Sequence, residues 1–157
     1  MTRRAAIALL VMTLSAVGQK KPEGIKVMEK NVTGEFHVKM TPQIAASIEE
    51  PSLGRMAIDK QFEGPLSGQS KGMMTAFMSD VKGSAGYVAM EKVTGKLEGR
   101  EGTFVLQHSS TMERGQPKQS VQVVPDSGTG ALTGLSGSMI IRIESGKHFY
   151  DFSYKLP

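Results

Sequence analysis

The sequence contains no cysteine and no tryptophan, and aromatic residues fill only 6% of its 157 positions. Without cysteine there is no disulfide framework and no thiolate zinc site. An exported chain without disulfides must hold itself together through an apolar core, which favours a compact barrel or sandwich over a small loop-rich scaffold. Charge of one sign is also missing. The formal net charge is +4, but the basic residues are scattered and alternate with acids. No basic stripe is interleaved with aromatics, so nucleic acid is not an expected partner.

Long apolar runs are absent except at the start. Arg3 and Arg4 precede the run Ala5–Leu14, and Ala16-Val17-Gly18 then offers small residues at the positions a signal peptidase reads. The pattern is that of a secretory signal over residues 1–18, and the run is too short for a membrane span. Cleavage after Gly18 would remove two arginines and lower the net charge of +4 by two. No cysteine is present for a lipid anchor. The expectation is an exported protein, periplasmic or secreted, with no membrane association after cleavage. Residues 19–31 are polar and lysine-rich and read as a flexible lead-in, leaving one domain over 32–157.

What is present is alternation. Phe36, Val38 and Met40 share a face against Glu35, His37 and Lys39, and Pro42 closes the strand. Gln43–Leu53 reads as a short helical turn or loop. Met56, Ile58 and Phe62 alternate with Arg55, Asp59 and Gln61, whereas Leu66–Ser79 shows no clear period. Gly68 and Gly72 within it suggest bends or bulges in a curved wall. Gln119, Val121 and Val123 share a face, as do Met139, Ile141 and Ile143. His148, Tyr150, Phe152, Tyr154 and Leu156 form an aromatic inward row. The glycine-rich stretch Asp126–Gly137 reads as a turn between strands.

The centre of the pattern is a hairpin over Lys82–Met112. One arm places Ala85, Tyr87, Ala89, Glu91 and Val93 on one face, and the other places Phe104, Leu106, His108, Ser110 and Met112 on one face. The turn Glu98-Gly99-Arg100-Glu101-Gly102 joins the arms, and a two- or four-residue loop there pairs odd positions with even ones and makes the two apolar faces coincide. A three-residue loop would expose one of them. Glu91 and His108 then fall inside the dry face, opposite or diagonal to each other. About seven or eight such strands with short turns predict an antiparallel sandwich or barrel, and closure into a barrel removes exposed edges.

Several stretches resemble one bacterial family. They are Gly54–Phe62 (GRMAIDKQF), Lys82–Ala89 (KGSAGYVA), Phe104–His108 (FVLQH) and Ser127–Gly130 (SGTG). The chain is identified as a member of the domain of unknown function 3224 family over about Thr33 to Leu156. The resemblance implies an all-β fold, a single antiparallel eight-stranded barrel similar to that of allene oxide cyclase, a plant enzyme that closes an unsaturated fatty-acid epoxide. The family has no established activity, so the resemblance implies a fold and no chemistry.

Glu91 and His108 are the candidate catalytic pair. A carboxylate in an apolar wall is expected to have a raised pKa, which a neighbouring imidazolium opposes. Such a pair can serve as acid and base on a bound molecule, or it can be a structural pair that pins hairpin register. Tyr87, Phe104, Leu106, Met112, Tyr150 and Phe152 are the candidate ligand-binding residues. His148 shares the inward parity with His108, but two histidines without a spaced third ligand make no metal site. No metal and no cofactor are expected. No Gly-x-Ser-x-Gly elbow accompanies Ser109 and Ser110, which excludes a hydrolase of that type.

An eight-stranded interior is just wide enough to be filled by side chains or to hold one small ligand. The expected activity is binding of a small apolar molecule. The alternatives are an isomerase or cyclase using Glu91 and His108, and a packed barrel acting through its surface. The oligomeric state is not legible.

Overall fold

The computed structural model describes residues 27–43 and 52–157. The signal segment at 1–18, most of the lead-in and most of the Gln43–Leu53 connection lie outside the described residues. Eight strands follow one another: β1 (Lys30–Pro42), β2 (Gly54–Glu63), β3 (Leu66–Met78), β4 (Ala85–Leu97), β5 (Arg100–Glu113), β6 (Gln116–Val123), β7 (Ser136–Glu144) and β8 (Lys147–Lys155). Each pairs antiparallel with the next, and β8 returns to β1, so the sheet closes into an up-and-down barrel. This is the expected eight-stranded fold.

Two boundaries differ from expectation. β1 begins inside the expected lead-in 19–31: Lys30 pairs with Tyr154 and Asn31 with Ser153. Leu66–Met78, whose period was obscure, is one continuous strand paired along its length with β2 and β4. Its inward row contains Gly68, Ser70 and Gly72, so it lacks the apolar repeat by which a strand is recognised.

The central hairpin forms as its parity demands. Leu97 pairs with Arg100, leaving Glu98-Gly99 as the turn. Both residues have positive φ, 47° and 82°, the left-handed pair of a type I′ turn, whose twist matches that of the strands it joins. Arg114-Gly115 and Ser145-Gly146 turn in the same way. Ala89 lies opposite His108 and Glu91 opposite Leu106, so Glu91 and His108 are diagonal neighbours on the inner wall.

The interior divides into two halves. The half at the β4–β5 turn is solid: Phe62, Leu66, Val93, Leu97, Phe104, Leu106, Phe152 and Tyr154 are buried there. The Phe104 and Phe152 rings stack with centroids 6.0 Å apart. The β6–β7 connection plugs this end through the short 3-10 helix Gly130–Leu132, which buries Leu132, and through Leu135 just beyond it. The same connection covers the lower edge of β5, where Val124 N–H donates to the Val105 carbonyl at 2.9 Å and Thr129 N–H to Thr103 at 2.8 Å. Tyr150 pins the β2–β3 turn: its hydroxyl accepts from Leu66 N–H at 3.0 Å and donates to the Glu63 carbonyl at 3.1 Å.

The other half is open, and its wall is incomplete at one seam. β6 and β7 pair only at Val121–Met139 and Gln122–Ser138. Toward the mouth they part, and the Gln119 side chain spans the gap, accepting from Ile141 N–H at 3.3 Å and donating to the Tyr87 hydroxyl at 3.2 Å. Pro117, nearer the mouth, has no N–H to offer a neighbouring strand. Outside, polar-out alternation fails on β3 and β4, where Met73, Phe77, Val88 and Met90 are exposed.

Candidate functional site

The floor of the open half is a buried polar cluster drawn from four strands. Lys60 on β2, Ser70 on β3, Glu91 on β4 and His108 on β5 are all buried, with Glu91 at 0% exposure. Each takes an inward position of its strand, so parity alone directs it to the interior. Lys60 Nζ donates to Glu91 Oε2 at 2.8 Å. The Ser70 hydroxyl donates to Glu91 Oε1. His108 Nε2 lies 2.8 Å from Glu91 Oε2, yet the oxygen is off the axis of the ring N–H, and the nitrogen makes no aligned hydrogen bond. The Lys60 ammonium also sits 4.8 Å from the centre of the Phe36 ring, an orientation that the ring quadrupole stabilises.

This arrangement reverses one expectation. Burial does push the Glu91 carboxyl upward and is the largest single influence. The His108 contact, the Lys60 ammonium and the Ser70 hydroxyl together outweigh it and lower the carboxyl to about 2. Glu91 is thus an ionised carboxylate at ordinary pH, not the protonated acid that an apolar wall alone would produce.

Above the floor lies a cavity of about 310 Å³. Its walls are apolar: Phe36, Val38, Met40, Ile58, Met74, Ile141 and Ile143. Its polar lining comes from Lys60, Tyr87, His108, Gln119 and His148. Glu91 does not line it; the carboxylate is sealed behind Lys60 and His108. At a volume of roughly 30 Å³ per water-sized unit, the space suits a molecule of about ten non-hydrogen atoms.

The candidate residues separate accordingly. Glu91 and His108 are brought together, and His108 and Tyr87 reach the cavity. Phe104, Leu106, Tyr150 and Phe152 do not: they fill the closed half at 0–1% exposure. Their parity is inward, but position along the barrel axis decides between core and cavity, and parity carries no information about that axis. Met112 stands at the rim, 41% exposed and outside the lining. Two residues of the cluster escaped sequence reasoning. Lys60 lies between Ile58 and Phe62 on the same row, so the alternation already pointed it inward, against the usual habit of lysine. Ser70 lay in the strand whose period was masked by glycine.

A second polar group lies at the closed end, away from the cavity. Tyr154 donates to Glu98 Oε2 at 2.5 Å and Lys30 Nζ to the same oxygen at 2.7 Å. Burial and the Glu98 carboxylate push the Tyr154 hydroxyl up to about 12. Among the described residues no cluster of three acid, histidine or cysteine side chains could hold a metal, and no helix is long and apolar enough to cross a membrane.

Comparison with known proteins agrees with this architecture. A crystal structure of a protein of unknown function from the DUF3224 family of Shewanella oneidensis MR-1 is 52% identical, covering 83% of this chain and 98% of that one, with a TM-score of 0.78. No curated protein matches the sequence. The profile of DUF3224, a family described as proteins of unknown function, matches residues 32–154. The chain therefore belongs to the DUF3224 family.

Proposed function

We propose that this domain is a binding module that holds one small apolar molecule in the open half of its barrel. The observation that carries the reading is the cavity of about 310 Å³, walled by aliphatic side chains and floored by a rigid charged cluster. Burial of an apolar ligand contributes roughly 25 cal/mol for each Å² removed from water, and no strand needs to move to admit it. The isomerase or cyclase reading draws less support. A base must reach the proton that it abstracts, and Glu91 is sealed, ionised and engaged by three partners. Its geometry suits a strut that fixes the cavity floor. We place the module outside the cytoplasm, in the periplasm or beyond, on the strength of Arg3, Arg4 and the run Ala5–Leu14.

The test is native mass spectrometry of the purified protein, followed by calorimetric titration with apolar molecules of about ten non-hydrogen atoms, neutral and charged. Saturable uptake of one molecule per chain is expected, together with its loss in Ile141→Trp, whose larger side chain fills the cavity. Absence of binding across the panel would end the reading.

A further inference from the structure

The reading above leaves the ligand's polar end undefined, and the lining of the cavity defines it. Three described lining residues are basic: Lys60 from β2, His108 from β5 and His148 from β8. Among the described residues no acid lines the cavity. The nearest one, Glu91, is fully buried behind Lys60, and the neutral polar groups Tyr87 and Gln119 bond to each other.

The basic groups also have hydrogen-bonding capacity to spare. An ammonium has three donors; that of Lys60 gives one to Glu91 and otherwise rests near the faces of Phe36 and Phe62. The ring of His108 is 3% exposed, its Nε2 lacks an aligned partner, and its Nδ1 bonds to no described residue. His148 packs its ring 5.3 Å from that of Phe36 and likewise makes no hydrogen bond or ion pair with a described residue. One carboxylate, that of Glu91, faces both Lys60 and His108, and His148 pairs with none among the described residues, so basic groups outnumber acids in this apolar enclosure. There an opposite charge is worth much more than it would be in water.

Resting on the binding reading, we infer that the ligand is an amphipathic organic anion, a monocarboxylate of about ten non-hydrogen atoms, with its head between Lys60, His108 and His148 and its tail along Val38, Met74 and Ile141. An amine of the same shape meets no counter-charge among the described lining residues. An alcohol satisfies the walls but leaves the imidazoles without a counter-charge.

The experiment titrates the full chain with octanoate, octanol and octylamine by calorimetry at pH 8 and pH 6. Octanoate is expected to bind at least tenfold more tightly than octanol, and octylamine least. Octanoate and octylamine are both ionised at pH 6 and at pH 8, so the order of affinities should be the same at both. Titratable groups that face the bound head are Lys60, His108, His148 and Tyr87, with Glu91 ionised behind them at both values. His148→Gln and His108→Gln should each narrow the octanoate-to-octanol ratio severalfold. Octanol or octylamine binding as tightly as octanoate, or a ratio unmoved in both variants, overturns the anion inference while the binding module stands. If none of the three binds, both fall.

Discussion

Lys60 and Glu91 belong to strands that are not neighbours, yet Nζ lies 2.8 Å from Oε2, because the pair reaches across β3. The bridge explains the composition of β3. Ser70 lies opposite Lys60, and Gly72 lies between Ile58 and Glu91. A larger inward side chain at either position would occupy the path of the ion pair. A Cβ placed at Gly72 would stand 2.6 Å from the Met90 carbonyl oxygen and 3.0 Å from Glu91 Cα. Gly72→Ala should therefore force β3 away from β4 at the cluster and lower stability by at least about 1–3 kcal/mol, the usual cost of overpacking. Urea denaturation measures it; a variant as stable as the parent would show that the wall can yield there.

Glu91 makes stability depend on acid. Its carboxyl is lowered from 4.5 to about 2 in the folded chain, so the folded state binds its proton less readily than the unfolded one. The stabilisation is complete above the unfolded value and is lost as pH falls from about 4.5 toward about 2. Its size is on the order of a few kcal/mol. Denaturation midpoints taken stepwise over that interval should fall in the parent and flatten in Glu91→Gln.

Glu91→Gln should also cost about 3–5 kcal/mol near neutral pH, because it strands a buried ammonium. Replacing both partners, Lys60→Met with Glu91→Leu, should restore most of that loss, since an apolar pair of similar volume carries no desolvation cost. A double variant no more stable than the single one would mean that the bridge specifies the fold beyond its charge balance.

Tyr150→Phe should lower stability by about 1–3 kcal/mol, because it leaves Leu66 N–H and the Glu63 carbonyl without their hydroxyl partner in a dry site. The thermal midpoint should fall by several degrees. An unchanged midpoint would show that the β2–β3 turn holds itself.

Gln119→Leu should open the seam locally. Ile141 N–H, which donates to Gln119 Oε1 at 3.3 Å, should lose its hydrogen-exchange protection. Amides of Phe104 and Leu106 in the closed half should keep theirs, since local opening is distinct from global unfolding. Retained protection at Ile141 would assign that donor another acceptor.

Much of the barrel can be read from residue alternation. Tyr87, Ala89, Glu91 and Val93 against Phe104, Leu106 and His108 limit the central hairpin to a two- or four-residue loop, because side chains alternate strictly, and the structure takes the two-residue turn Glu98-Gly99. The same rule put Glu91 and His108 on one wall. It broke down where small residues replaced apolar ones: Gly68, Ser70 and Gly72 erased the period of β3. It was also overridden by residue type at Lys60, whose inward parity was plain but whose charge argued for solvent.

The sequence by itself determined which side of the sheet each residue occupies, since that is a local property of an extended chain. Only the tertiary structure decided how far along the barrel axis each residue lies. That axis divides Phe104, Leu106, Tyr150 and Phe152, which fill the closed half, from Tyr87, His108 and His148, which line the open one. It also decided the charge state of Glu91, because the partners that hold its proton off come from β2, β3 and β5 and meet only when the sheet curves round to enclose them.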